Sequence, residues 1–326
     1  MSPNAIVRWS NPEVILVATN LLEGHNLILH AIYQAKLSGA KVLLVHVVPP
    51  SYSLSEAPNG MPFILPSPMV RNVKAKLDGI AENFRREDVE CEPIVLTGLP
   101  GEQISRLVRS RSVDRVIVAT RNTTGVARLV EESVAEEMIA ALEVPVCVIG
   151  RRTHPGAACG TPLTRILLAT SFHSGSALLA RFSSTLAEVN HSRLVLLHVL
   201  ETSGMSEQHR ELAKFEARKR LSDLVPKEAR HWEEPSYVVR EGDPASVISA
   251  EAGSIPQDLV ILGSPHPSVA SWLLGTGVAH RVVIESECPV ITIKTQAASE
   301  LLHDNDDSEA KLVDSRAGIE ASIAID

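Results

Sequence analysis

The chain is written nearly twice. Glu13–Thr19 (EVILVAT) returns as Arg165–Thr170 (RILLAT), and Val42–Val47 (VLLVHV) returns as Leu194–Val199 (LVLLHV). Asp114–Thr120 (DRVIVAT) returns as Asp258–Ser264 (DLVILGS), and Glu143–Ile149 (EVPVCVI) as Glu287–Ile293 (ECPVITI). Thr19 and Thr170 are 151 residues apart, His46 and His198 are 152 apart, and the later pairs keep a spacing of 144. One small insertion and one loop difference account for that drift, so the order of elements is the same in both copies. A period this long describes two whole domains rather than a solenoid of short repeats. The expected division is 1–150, a linker over 151–163, a second domain over 164–295, and a tail over 296–326.

Composition narrows the class. Aromatic residues make up only 3% of 326 residues, so the apolar load rests on Val, Ile, Leu and Ala, which suits buried strands covered by helices. The formal net charge is −8. Residues 296–326 hold eight acids against Lys311 and Arg316, a net of −6, which leaves −2 for the remainder. No basic field is offered to nucleic acid. Cys91, Cys147, Cys159 and Cys288 show neither C-x-x-C pairing nor metal-ligand spacing; Cys147 and Cys288 read as core or near-core residues. Residues 1–13 lack the basic start and apolar centre of a signal peptide, and no run reaches membrane-spanning length. The expectation is a cytoplasmic protein with no membrane contact.

Within each copy, short apolar runs alternate with helical patterns. The unbroken runs at 13–19 and 42–48 fit parallel strands buried on both faces. Leu27, Ala31, Ile32 and Ala35 recur at helical spacing between them, as do Leu178, Leu179, Phe182, Leu186 and Val189 in the second copy. Strands at 93–97, 114–119 and 145–149, with helices near 69–86, 101–111 and 126–141, complete a doubly wound α/β pattern. The copies differ most over the Pro-rich stretch from Pro49 to Pro68, read as a surface loop, and over a charged helix near 206–224. The acidic end has the composition of a disordered tail.

In open parallel sheets ligands bind beyond the carboxyl ends of the strands, where strand order reverses. The ordered set found there is Thr19 and Thr170, His46-Val47 and His198-Val199, Gly242-Asp243-Pro244-Ala245, Gly263-Ser264, Leu273-Leu274-Gly275-Thr276 and Cys288-Pro289-Val290. It resembles the universal stress protein family, over residues 13–149 and 164–294. The resemblance implies two five-stranded doubly wound domains (adenine nucleotide alpha hydrolase-like) that pair across their last strands, 145–149 and 289–293, as a pseudo-dimer. Further association into a homodimer is left open by the sequence, and the protein partner is unidentified. ATP-holding members use an Asp closing the first strand and a Gly-x2-Gly-x9-Gly-Ser/Thr loop, whose glycines let backbone N–H groups approach phosphate at a helix N-terminus.

This chain departs from that pattern. The Asp is Asn20 in one copy and Ser171 in the other. The first loop, Ala119 to Gly125, lacks the glycines, and Glu131 and Glu132 stand where phosphate would lie; the first copy is read as unable to bind ATP in the family manner. The second copy keeps Gly263 and Gly275-Thr276 but has His266 between Pro265 and Pro267, with His266 and Arg281 as possible cationic partners. By resemblance, an adenine nucleotide, ATP, would contact Thr170, Ser171, the Val199 backbone, Gly263, Ser264, Gly275 and Thr276. No cofactor is firmly implied.

Other residues read more plainly. His46 and His198 are expected to be half-buried rings hydrogen-bonded to neighbouring backbone. Ser264-Pro265-His266 is read as a turn, Trp272 as a packing contact, and Glu131, Glu132, Glu136 and Glu137 as a solvated acidic face. Lys214, Arg218, Lys219 and Arg220, interleaved with Glu211 and Glu216, read as a solvated helix. Walker A, G-x-G-x-x-G and H-E-x-x-H motifs are absent. The reading is a tandem, non-catalytic stress-response or regulatory binding protein with degenerate ATP sites and no metal. Its alternatives are an ATP sensor using the second domain only, or a slow nucleotide hydrolase working through His198 or His266.

Overall fold

The computed structural model describes residues 3–21, 25–48, 67–120, 133–154, 162–173, 175–229, 233–253, 258–264 and 277–295. The first half contains α1 (Pro3–Ser10), β1 (Val14–Ala18), α2 (His25–Ser38), β2 (Lys41–Val48), α3 (Ser67–Arg86), β3 (Cys91–Thr97), α4 (Pro100–Ser110), β4 (Arg115–Ala119), α5 (Ser133–Ala141) and β5 (Val146–Ile149). The second contains β6 (Arg165–Ala169), α6 (Ser176–Asn190), β7 (Arg193–Leu200), α7 (Glu207–Leu224), β8 (Ser236–Glu241), α8 (Pro244–Ala252), β9 (Asp258–Ser264), α9 (Val278–Glu285) and β10 (Val290–Lys294).

The ten strands form one sheet in the order β3-β2-β1-β4-β5-β10-β9-β6-β7-β8. In each half the first strand lies between two parallel neighbours, β2 and β4 for β1, β7 and β9 for β6. That is the point where strand order reverses. The halves join through β5 and β10, which run antiparallel with Val290 opposite Val148, Ile291 opposite Cys147 and Thr292 opposite Val146. The 144-residue spacing makes 146, 147 and 148 the equivalents of 290, 291 and 292. This register is therefore that of a two-fold axis passing between Cys147 and Ile291, and the expected pseudo-dimer is present.

Side chains alternate along each strand between two cores. Ile15, Val17, Leu44, Ile166, Leu168 and Ile261 meet α1, α2, α3, α6 and α7 on one face. Leu16, Leu43, Val45, Leu167, Val195 and Val260 meet α4, α5, α8 and α9 on the other. Both cores run across the seam. Burial on both faces is why these strands carry no polar alternation.

Two local features differ from the sequence reading. Residues 3–10 form α1, which buries Ile6 and Trp9 and packs on α6 of the opposite half, with Ser10 Oγ donating to the Phe182 carbonyl at 3.4 Å. So short a helix has little intrinsic stability and is held by this tertiary contact. Val189, placed in the apolar stripe of α6, is 45% exposed: it lies at the end of the helix, beside a cavity between the halves.

Candidate functional site

The reversal points of the two halves share one frame of hydrogen bonds. The Thr19 amide donates to the Val45 carbonyl at 2.9 Å, and that of Thr170 to Leu197 at 3.0 Å. The Thr hydroxyls then accept from the amides two residues on, Leu21 at 3.1 Å and Phe172 at 3.2 Å. These turns hold Leu21 and Phe172 at φ 66° and 62°, in the left-handed region that non-glycine residues rarely adopt. His46 Nδ1 donates to the Thr19 carbonyl and His198 Nδ1 to the Thr170 carbonyl, each at 2.8 Å. Both rings are half-buried, as the sequence reading expects.

In the second half this frame borders a cleft of about 580 Å³, the size of a small-molecule site. Its apolar walls include Leu197, Val199, Ile248 and Leu262, and its polar rim Ser171, His173, His198, Ser264 and His280. Thr170, Ser171, Val199, Gly263 and Ser264 are thus brought together on one cleft. Their roles are not equal. Ser171 is exposed, whereas the Thr170 hydroxyl is buried and bonded to Ser176 Oγ at 2.8 Å. Ser264 is buried, its carbonyl accepting from the Thr295 amide at 3.2 Å. Gly263 is required by packing: a Cβ there would lie 2.8 Å from His173 Nε2 and 2.9 Å from Leu179 Cδ1. Its missing side chain makes room for a histidine.

Electrostatics in the cleft follow from burial. Burial lowers the proton affinity of His198, opposed by its bond to the Thr170 carbonyl and aided by nearby Arg220. Burial likewise lowers that of His173, whose Nδ1 accepts from the Gly175 amide at 3.2 Å. With Nδ1–H donated to Thr170, a neutral His198 offers Nε2 as an acceptor. Its ring lies 4.3 Å from that of Phe172, and Arg220 covers Phe172 at 4.0 Å. Arg220, read as part of a solvated helix, is therefore spent on an aromatic face. Lys214 of the same stripe pairs not only with Glu211 along the helix but with Glu241 of β8, at 2.6 Å.

Arg281, considered as a cationic partner for phosphate, is engaged elsewhere. Its guanidinium donates to both Asp243 oxygens at 2.9 and 2.8 Å, and these bonds hold the Asp243 carboxyl well below the usual carboxylate range. Asp243 also caps α8 by accepting from the Ser246 amide. Among the described residues lining the cleft there is one carboxylate, Glu201, and neither lysine nor arginine.

The equivalent places in the first half are filled differently. Ala119, Thr120 and Glu136 stand where the second half has Gly263, Ser264 and His280. Glu136 is not on a solvated face: its side chain is 17% exposed, and Oε1 lies 3.2 Å from Nδ1 of the 9% exposed His280. Glu137 packs against Gly101, where an added Cβ would strike it. The axis that pairs β5 with β10 also sets α5 beside α9, and local sequence pattern carries no trace of that contact. His173, the Phe172–His198 stack and the Glu136–His280 contact escape the sequence reading. The last was signalled only by positions 136 and 280 being 144 apart. Gly275, Thr276, His266, Trp272, Glu131, Glu132, residues 121–125, Cys159 and the tail lie outside the described residues. Among the described residues no cluster of His, Cys, Asp and Glu is arranged to hold a metal ion, and no helix is long and apolar enough to cross a membrane.

Comparison with known proteins follows the repeat. A family model described as universal stress protein family matches residues 12–150 and again 162–294. Among solved structures the chain is similar to a universal stress protein from Archaeoglobus fulgidus DSM 4304, at 17% identity and a TM-score of 0.65, covering 86% of this chain and 96% of that one. It is also similar to a functionally unknown protein from Pseudomonas aeruginosa PAO1, at 15% identity and a TM-score of 0.58, covering 92% of this chain and 99% of that one. At these identities the likeness is one of fold.

Proposed function

The chain belongs to the universal stress protein family, and on that premise we propose that it is a non-catalytic regulatory binding protein with one working ligand site. That site is the second-half cleft, and the ligand is an adenine nucleotide; the first half serves as a degenerate scaffold. The observation that carries this reading is the cleft of about 580 Å³ at the second reversal point, bordered by Thr170, Ser171, Val199, Gly263 and Ser264. The Leu197, Ile248 and Leu262 walls suit a base, and the neutral His198 Nε2 supplies an acceptor for an exocyclic amine. Gly275 and Thr276 would meet the phosphates.

Absence of turnover is supported by where the polar groups are committed. His198 is oriented by a backbone carbonyl and not by a carboxylate, and the neighbouring Thr170 hydroxyl is bonded to Ser176. Neither arrangement pairs a nucleophile with a base.

Calorimetry with ATP, AMP and adenosine on the full chain, with mass spectrometry of the purified protein for co-bound nucleotide, tests the reading. Gly277→Glu is the informative variant. Gly277 caps α9 at φ −71°, lines the cleft, and has open space where a Cβ would stand. The added carboxylate should leave melting unchanged and weaken nucleotide binding by at least about tenfold, through like-charge repulsion of about 1.4 kcal/mol or more. One nucleotide per chain and no phosphate release are expected. Two equivalents per chain, or an affinity indifferent to Gly277→Glu, would sink the one-site assignment.

A further inference from the structure

A second cavity lies between the halves, on the face covered by α1, α2 and α6, and shares no lining residue with the cleft. Its volume is about 50 Å³. Gln34 and Arg115 line it from the first half and their repeat equivalents, Leu186 and Leu259, from the second, so the two-fold axis runs through it. One wall is polar and the other apolar.

Arg115 is the anomaly. It is a cation inside β4 where the other copy has leucine, and it is only 5% exposed. Nη1 donates to Gln34 Oε1 at 3.0 Å and Nη2 to the Trp9 carbonyl at 2.6 Å, while the buried Nε meets no acceptor. The adjacent carboxylate of Asp114 is spent: Oδ2 accepts from the Glu13 and Val14 amides and Oδ1 pairs with Arg8 at 2.8 Å. Burial lowers the proton affinity of Arg115 to about 10, which still leaves it charged at neutral pH. The neighbouring Cys147 thiol is pushed up by its own burial and stays neutral. The Tyr33 hydroxyl is buried behind the cavity wall and faces the Leu163 backbone amide, which lowers its proton affinity against the rise that burial imposes.

A buried cation costs several kcal/mol unless it is paired, and here the protein supplies neutral dipoles but no contacting carboxylate. The cavity has room for the missing charge, since one water needs only about 10–15 Å³ in the same measure. We propose that this interdomain cavity is a binding site for a compact inorganic anion, held by the Arg115 guanidinium. Such an anion would complement the buried guanidinium that the first half sets at the seam, and so fasten the two halves and α1 together.

Bromide and inorganic phosphate are the probes, with gluconate as an anion too large to enter. In crystals of the full chain soaked in bromide, an anomalous peak is expected in contact with the Arg115 guanidinium. At constant ionic strength, bromide or phosphate should raise the melting temperature saturably over gluconate; response to bromide alone marks a halide site, and to phosphate alone an oxyanion site. Arg115→Met should abolish peak and response together. Should that variant not fold, Gln34→Glu, which keeps the cation but sets a carboxylate where Gln34 Oε1 now accepts from Arg115 Nη1, should remove the peak and flatten the response. A cavity holding water only, with melting that tracks ionic strength alone, overturns the assignment; so does a saturation curve unmoved by Gln34→Glu.

Discussion

The two reversal points are alike in backbone and unlike in chemistry. Thr19, Leu21 and His46 repeat as Thr170, Phe172 and His198, with bond lengths that agree within about 0.1 Å and a left-handed residue two positions after the threonine in each. One layer outward the likeness ends: Ala119, Thr120 and Glu136 face Gly263, Ser264 and His280 in the equivalence. The residues that persisted are those that close backbone groups at a buried strand end, where an unmade bond would cost about 1–3 kcal/mol. Residues that only face a ligand carry no such debt to the fold. A shared frame is therefore evidence of common architecture, and only the outer layer bears on binding.

The same contrast runs through the helices, and there it has its largest consequence for stability. Phe182 of α6 is fully buried, and its equivalent on α2 is His30, buried and bonded through Nε2 to the His154 carbonyl at 3.2 Å. Phe182→Ala should cost about 3–5 kcal/mol, the range for emptying a buried aromatic site. His30→Ala should cost about 1–3 kcal/mol, from one lost hydrogen bond and a smaller void. Denaturant midpoints at an unchanged m-value measure both. Equal losses would mean that the two helices bear equal loads, and the asymmetry of the seam would then be only in its polar groups.

Next in size is a polar contact between equivalent residues. In a two-fold dimer of identical chains, positions 136 and 280 would be the same residue and would meet their own copy. Joined in one chain they have become Glu and His, 3.2 Å apart and mostly buried. A double-mutant cycle with Glu136→Gln and His280→Ala should yield a coupling of about 1–2 kcal/mol. Additive losses would show that the contact is incidental to the pairing of the halves.

Much of the sheet could be read from sequence because its strands are buried on both faces, so each appears as an unbroken apolar run such as Val42–Val45, and because every run occurs twice. Pairing through β5 and β10 followed from the resemblance and from the apolar ends of the repeats. The features that stayed hidden depend on contacts between halves. Residues 3–10 are helical because Ile6 and Trp9 find α6; Glu136 is buried because α9 lies across from it. Gly263 carried the opposite lesson. It was legible as a glycine that must be there, but the approaching atoms belong to His173, and composition does not distinguish a ligand from a side chain.

The smallest expected effect tests whether the cleft histidine is held neutral by the fold. Burial, with Arg220 assisting, keeps His198 below its ordinary proton affinity against the pull of the Thr170 carbonyl. The unfolded chain then takes up this proton first as pH falls. Stability supplied by the neutral ring is complete above about pH 6.5 and is lost as pH drops from there through the folded-state value. His198→Asn keeps a side-chain donor for the Thr170 carbonyl but cannot titrate, so its unfolding free energy should fall less steeply than wild type between about pH 6.5 and 5. His30 and His173, lowered in the same direction by burial, leave a residual slope in the variant. The ring is half-exposed, and the difference should be a minor part of the acid response. Parallel pH profiles for the two proteins would place the burial of His198 in the shared frame alone, and would remove the reason for treating its Nε2 as an acceptor in the cleft.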